Sequence, residues 1–479
     1  MTVETLLNRL RQCPLIASVQ ASEKSPVDSP ETLARMARAS VKEGVRLLRL
    51  EGIKNVRVIK PEAKIPVIGL LKRKYPGSDV YITPTIQDAE SMIDLGCEII
   101  AFDATLRARP HNQTLASIID RVKSRKVLTM ADCDSLESAI EAEKLGVDII
   151  GTTLAGYTEA RALTSGPDLD LLREIVAAVK IPVLAEGRFS QRWEVEAALR
   201  IGAKGVVVGG AINDPVKQTK AMLPTTRPGG KVGAVDLGGT WMRFAVFNED
   251  WTLELVEREP LAPTGAERVA WVKDRIAHHQ IARVGVSTAG IVDPATGEVW
   301  TAKEYLMPDH VGTIWNSVTL GVPTVVHGDG HATAWGHACL AEFAGKRIAT
   351  LALGTGVGCG FVESGRIWAG HRGEYPRIND LPTANGGTYE ELLGGVSITS
   401  SPTLEQQAEG VKALEGAIKA IRELYFPDVV VIAGGVGTSP WLAPHVERVG
   451  AELTPFGHDA GLHGAAALAL YIPSGQSIL

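Results

Sequence analysis

The stretch Lys231–Thr240, KVGAVDLGGT, divides the chain and decides how each side of it is read. The apolar run Val232 to Val235 stops at Asp236 and turns on Gly238-Gly239. That pattern predicts a buried strand followed by a tight turn. With no Cβ in the way, such a turn brings backbone N–H groups close to phosphate oxygens. The stretch follows Asn213–Gly230, NDPVKQTKAMLPTTRPGG, which carries three prolines and ends in Gly-Gly. A breaker-rich joint before a fresh strand marks a domain boundary near Arg227–Gly230. The expected division is therefore residues 1–226, a linker 227–231, and residues 232–479.

Working back from the joint, short apolar runs alternate with helical patterns. The runs are Leu15–Val19, Val45–Leu50, Pro66–Leu71, Glu98–Phe102, Val127–Ala131, Val147–Ile150, Ile181–Ala185 and Gly205–Val208. Ser29-Pro30-Glu31 reads as an N-cap with proline in the first turn, and Gly44 as the stop of that helix. About eight strand–helix units in about 220 residues have the rhythm of a (β/α)8 barrel. Val80–Thr83 is a further short strand-like piece. Polar residues punctuate the strand ends: Gln20, Arg49, Lys72, Asp103, Asp132 and Glu186. Strand C-terminal ends form the active face of such a barrel.

Lys72 and Glu186, after the third and seventh strands, fall across the barrel mouth from one another. Two titratable groups on opposite faces of a carbon next to a carbonyl can remove a proton from one side and return one to the other. The same pair also suits a plain ion pair. The loops after strands seven and eight carry Gly187-Arg188 and Gly209-Gly210. They read as a phosphate site, the usual use of those loops, or as ordinary turns.

LIASVQ (15–20), RLEG (49–52), GLLKR (69–73), MADC (130–133), IIGTTLAGYT (149–158), LAEGR (184–188) and GAKGVVVGGAI (202–212) resemble, in this order, the bacterial N-acetylmannosamine-6-phosphate 2-epimerases. The resemblance implies interconversion of N-acetylmannosamine 6-phosphate and N-acetylglucosamine 6-phosphate without a redox cofactor. It implies Lys72 and Glu186 as catalytic residues and Gln20, Arg49 and Asp132 as substrate contacts. The family places a phosphate-binding arginine just after the last glycine turn. Here that place reads Asn213-Asp214, which leaves Arg188 and the backbone at Gly209 and Gly210 for the phosphate.

Working forward from the joint, Trp241–Phe247 predicts the second strand of a hairpin. Strand, DxGGT turn and strand open the actin-like ATPase fold. The later stretches Val284–Asp293, Thr324–Trp335 (TVVHGDGHATAW), Leu353–Phe361 (LGTGVGCGF) and Val429–Gly437 (VVVIAGGVG) resemble the ROK sugar kinases, bacterial N-acetylmannosamine kinases among them. The resemblance implies a two-lobed kinase using ATP and Mg2+. Asp236, Gly238, Gly239, Thr240, Gly354, Thr355, Gly356, Gly358, Gly434 and Gly435 fall at its nucleotide positions, and Asp329 at its base. An aspartate between two glycines is otherwise an ordinary turn residue. Two departures stand out. Gly370-His371-Arg372-Gly373-Glu374 has the acid and the histidine exchanged, with His371 and Glu374 still expected around the sugar. The cysteine-rich zinc segment is replaced by Asn379–Glu391, so no structural zinc is expected.

Both resemblances together imply a bifunctional enzyme of sialic acid catabolism, the kinase product feeding the epimerase. Three alternatives remain at this stage. The second half is a decayed kinase that binds nucleotide weakly or serves as a scaffold. It is a non-catalytic nucleotide- or sugar-binding module, for instance a regulator. Or it is a sugar-responsive repressor, as some ROK proteins are, although a barrel occupies the place of the DNA-binding helices. The bulk numbers narrow the classes. A net charge of −6 argues against a nucleic-acid partner. The five scattered cysteines argue against a disulfide framework. No apolar signal core and no run of about 18 apolar residues occurs, so a soluble, cytoplasmic enzyme of small amino sugars is expected, with no membrane partner. Homo-oligomers are common among kinases of this type.

Overall fold

The computed structural model describes residues 1–22, 25–164, 166–223, 229–383, 386–395, 398 and 402–473. The chain forms two compact units, residues 1–223 and 224–479. Of the expected linker, Arg227 and Pro228 lie outside the described residues.

In the first unit, eight parallel strands close into a barrel in sequence order. They are β1 (Leu15–Val19), β2 (Leu48–Glu51), β3 (Val67–Leu70), β4 (Ile99–Asp103), β5 (Leu128–Asp132), β6 (Ile149–Gly151), β7 (Val183–Glu186) and β8 (Gly205–Val208). Several begin one to three residues later than the apolar runs suggest. Pro66 and Pro182 show why: each supplies only a carbonyl, to Leu48 and Ile150, from just ahead of its strand. The helix Pro30–Lys42 starts as its sequence predicts, with Ser29 Oγ accepting from Thr32 N and proline in the first turn. Val80–Thr83 is not a ninth strand. Ile82 bridges Lys72 antiparallel and accepts from Asp103 N, so the segment folds back across the top of the barrel. Two apolar layers result. One fills the barrel, with Ile16, Ile68, Ile99, Met130, Ile149, Leu184 and Val207. The other seals strands to helices.

The second unit has two lobes. The first holds a sheet of order β11-β10-β9-β12-β15, from β9 (Val232–Leu237), β10 (Trp241–Phe247), β11 (Leu253–Pro260), β12 (Arg283–Thr288) and β15 (Thr324–Gly328). The short pair β13 (Ile291–Val292) and β14 (Val299–Thr301) lies beside it in sequence. The other lobe holds β18-β17-β16-β19-β20, from β16 (Ile348–Leu353), β17 (Val357–Glu363), β18 (Arg366–Ile367), β19 (Val429–Ala433) and β20 (Glu452–Leu453). The predicted DxGGT hairpin is β9–β10, closed by Gly238 N donating to Trp241 O at 3.1 Å. The helix Asp329–Ala338 is gripped on two sides. A Cβ on Gly330 would lie 2.4 Å from Cys359 O, and one on Gly464 2.3 Å from Ala332 O. These close approaches set Asp329 against β17 with little freedom. Among the described residues, no helix is long and apolar enough to cross a membrane.

Candidate active sites

The barrel mouth is a cavity of about 1390 Å³. Gln20, Arg49, Lys72, Glu186, Arg188, Gly209 and Gly210 all line it. Lys72 Nζ donates to Gln20 Oε1 at 2.8 Å, and Gln20 Nε2 donates to Ser18 Oγ at 2.6 Å, which fixes the glutamine amide. Opposite, Glu186 Oε1 pairs with Arg49 Nε at 3.2 Å. Thr153 Oγ1 stands 3.0 Å from Glu186 Oε2 and 2.7 Å from Asp132 Oδ1. Loss of solvation raises the Glu186 carboxyl to about 7, with Arg49 pulling back and Asp132 pushing further. The surrounding protein depresses the Lys72 ammonium from its ordinary value, chiefly by desolvation, although its side chain keeps contact with solvent. The two groups are thus driven toward their neutral forms, a tuning found at acid–base sites.

Asp132 does not line this cavity, which corrects its expected contact with substrate. Its carboxylate is completely buried and accepts from Arg49 Nη2 at 2.6 Å. Met130 and Asp132 share a face of β5, and both hold the Arg49 guanidinium from beneath. Removing one partner of a buried pair strands the other charge. Asp132→Ala is therefore expected to cost the barrel about 3–5 kcal/mol, read as a lower denaturant midpoint. A loss under about 1 kcal/mol would show that Glu186 alone satisfies Arg49.

Arg188 has a positive φ of 59° and spends its donors on its neighbours. They reach Gly166 O at 2.8 Å, Ala155 O at 2.7 Å and Thr164 Oγ1 at 2.8 Å, so it braces the loop after β6 as well as facing the cavity. Asn213 Nδ2 donates to Ser18 O, and Asp214 caps the following helix. The cation that sequence reasoning missed is Lys217, whose stem packs over Gly210 at the cavity wall. Its position one helical turn past Asp214 was the available signal.

In the second unit, a cleft of about 1170 Å³ is lined by both lobes. Asp236, Gly238, Gly239, Thr240, Asp329, Gly354, Thr355, Gly356, Gly434 and Gly435 all face it. Thr240 Oγ1 and Thr355 Oγ1 meet across it at 3.3 Å. Asp236 is shared by Arg243 and Ser287, the latter donating at 3.0 Å. Desolvation raises the Asp329 carboxyl to about 6, against the pull of the Gly330 N–H, which donates to it at 2.7 Å. Glycine-lined turns from two lobes converging on one cleft fit a nucleoside triphosphate.

Three expectations are corrected here. Gly358 does not line the cleft but lies within β17, where a Cβ would sit 3.1 Å from Asp329 Oδ1; its smallness admits Asp329. His371 and Glu374 are exposed and outside the cleft. Their loop closes on itself: Glu374 accepts from Arg372 N at 2.8 Å, and Arg372 stacks 3.8 Å over the Trp300 ring. Polar groups that line this cleft beside Asp329 and were not singled out from sequence include Lys303, Tyr375, Asn379 and Glu390. Lys303 Nζ pairs with Glu390 Oε1 at 2.9 Å, joining the two lobes inside the cleft. Among the described residues, no group of three or more His, Cys, Asp or Glu side chains is gathered as a metal site. Ala384 and Asn385, within the segment that replaces the zinc-binding one, lie outside the described residues.

Comparison with known proteins follows the same division. A family profile described as "Putative N-acetylmannosamine-6-phosphate epimerase" matches residues 33–226, and the ROK family profile matches residues 232–381. The bifunctional enzyme NanE/NanK of Brucella melitensis is 31% identical over 517 residues, covering 98% of this chain and 98% of its own. A "Putative N-acetylmannosamine-6-phosphate 2-epimerase" of Clostridium perfringens is 43% identical over 206 residues, covering 43% of this chain and 93% of its own. The solved N-acetylmannosamine-6-phosphate 2-epimerase from Clostridium perfringens is 40% identical, with a TM-score of 0.44, over 45% of this chain and 94% of that one. An epimerase barrel followed by a ROK domain defines a fused isomerase and sugar kinase. The chain belongs to the bifunctional NanE/NanK enzymes.

Proposed function

We propose that the second unit transfers the γ-phosphate of ATP to O6 of N-acetylmannosamine, and that the first converts the product to N-acetylglucosamine 6-phosphate. The step would serve sialic acid catabolism. The observation that carries the epimerase reading is Lys72 and Glu186 on one cavity, each pushed toward neutrality. In the open-chain sugar, one of them takes the C2 proton, the electron pair passes to the C1 carbonyl, and the other returns a proton to the opposite face. Arg49, locked by Asp132, is the cation beside the developing enolate. Gly209, Gly210, Lys217 and Arg188 surround the phosphate end. In the kinase cleft, Asp329 takes the O6 proton, and the turns at Gly238–Thr240 and Gly354–Gly356 hold the phosphates. ATP supplies the transferred group. Asp236 is the residue that would hold an accompanying Mg2+, which neutralises phosphate charge.

The test is ADP release with N-acetylmannosamine, followed by deuterium at C2 when the product is epimerised in D2O. No ADP release would remove the kinase reading, and epimerisation through C1–C2 hydride movement or ring-bond cleavage would remove the other. The pH profile is a further expected result. The two working forms, neutral lysine with protonated glutamate and ammonium with carboxylate, hold the same one proton. A second proton on Glu186 below about 7 inactivates the site, and loss of the last proton from Lys72 does so at the alkaline end. The plot of kcat/KM against pH should be a bell with its acid limb near 7 and its alkaline limb below the ordinary lysine value. A flat profile from pH 5 to 8 would exclude a Glu186 tuned to about 7.

A further inference from the structure

Asn379 is 2% exposed, lines the kinase cleft, and is half satisfied. Its Nδ2 donates to Asp380 Oδ1 at 3.0 Å and to Glu390 Oε2 at 3.3 Å. Its Oδ1 is buried with no hydrogen-bond partner among the described residues. The orientation of the amide follows from chemistry. Flipping it would turn the oxygen onto two carboxylates, which accept and cannot donate when ionised. The orphan atom is therefore an acceptor, and a buried acceptor without a donor is a standing cost that a ligand N–H or O–H removes.

The same carboxylate carries the complementary group. Glu390 Oε2 also accepts from Val357 N at 3.0 Å, so this end of the side chain is pinned to β17. Its other oxygen holds Lys303 Nζ at 2.9 Å, from the opposite lobe. Lys303 keeps a third of its side chain exposed, and its ammonium has three donors, so it can turn to a ligand oxygen in the cleft. An unmet acceptor and a partly exposed cationic donor thus flank one anchored carboxylate, in the cleft that holds Asp329. A secondary amide presents the matching pair, one N–H and one carbonyl oxygen on adjacent atoms. A lone hydroxyl on the same sugar carbon carries its donor and its acceptors on a single atom, so it does not span two groups held at opposite oxygens of Glu390.

Resting on the kinase reading above, we propose that Asn379 and Lys303 form the subsite for the acylamino group of the sugar. Asn379 Oδ1 accepts the amide N–H, Lys303 donates to the acyl oxygen, and Glu390 positions both. The segment standing in place of the zinc-binding one would then act directly in choosing the substrate.

The test uses the full-length chain with N-acetylmannosamine and mannose, by ADP release and by calorimetric titration of each sugar. Asn379→Ala and Lys303→Met should each lower the ratio of kcat/KM for the two sugars by about tenfold or more, and Lys303→Gln, which keeps a donor, should recover part of it. Because Lys303 also acts on Asp329, its loss slows both sugars, and the ratio removes that common factor. Equal loss on both sugars in both variants would overturn the proposal, as would a wild type that does not discriminate between them. If the wild type binds N-acetylmannosamine but releases no ADP, the kinase reading fails. The ratio of dissociation constants then decides the subsite: a fall of about tenfold in the variants supports it, and no change refutes it.

Discussion

Lys72→Met lowers kcat/KM for epimerisation by about a thousandfold or more and leaves phosphorylation of free sugar untouched. The size follows from what is removed. A positioned base contributes about 10²–10⁴-fold, and methionine can neither take nor return a proton. The variant keeps the aliphatic stem, and among the described residues the hydrogen bond that the ammonium makes is to Gln20, at a solvent-reached mouth. The barrel should therefore unfold within about 0.5 kcal/mol of the wild type. The sharper outcome is directional. With two bases on opposite faces, each epimer has its C2–H directed at one of them. In D2O the Lys72 variant should still exchange the C2 proton of the epimer facing Glu186 and fail to exchange the other. Glu186→Gln should show the reverse pattern. Symmetric loss of exchange from both epimers in both variants would mean that one group does all the proton transfer. A loss under about tenfold in Lys72→Met would assign that lysine to binding alone.

The barrel was legible because its signals are local. Six of the eight apolar runs carry a polar residue at their C-terminal end, and that end is where a parallel strand meets the active face. Gln20, Arg49, Lys72 and Glu186 all reach the cavity for that reason. Asp132 obeys the same rule and still misses it. Alternation places its side chain inward on β5, but nothing in the sequence reveals that Arg49, from a strand 83 residues earlier, lies over it. The kinase glycines reach their cleft by the same kind of local signal, except Gly358, whose missing side chain leaves room for Asp329. His371 and Glu374 mislead because a motif's letters were kept and their order was not. Gly373 takes a φ of 82°, where an added Cβ would lie 2.1 Å from the Val292 carbonyl oxygen, and that turn points the acid back at its own loop. Lys303, Asn379 and Glu390 carried no local signal at all. Their meeting depends on two lobes facing one cleft, a contact that no periodicity encodes.

Asp329→Asn abolishes ADP formation, by about a thousandfold or more, and at the same time makes the unit that carries it more stable at neutral pH. Asparagine keeps the shape, and its Oδ1 can still accept from Gly330 N, so the grip of Gly330 and Gly464 on the helix is preserved. What it loses is the capacity to take the O6 proton as phosphate transfers. The stability change has a definite sign. Burial raises this carboxyl from 3.8 to about 6, so the folded state binds more protons than the unfolded one across that window. Stability then falls as pH rises through it, and above it the ionised side chain is a standing penalty. A shift of that size, discounted for partial exposure, is on the order of 2 kcal/mol. Asparagine carries no charge and escapes it. Unfolding of this unit, followed by hydrogen exchange at pH 7.5, should show the variant ahead by about that amount, with the gap closing below about pH 4, where the wild-type acid is protonated in both states. The epimerase half provides the internal reference, because Asp329 belongs to the other unit and epimerisation of supplied sugar phosphate should proceed at the wild-type rate. A variant that is both inactive and less stable at pH 7.5 would make Asp329 a structural cap for its helix and leave the cleft without its base.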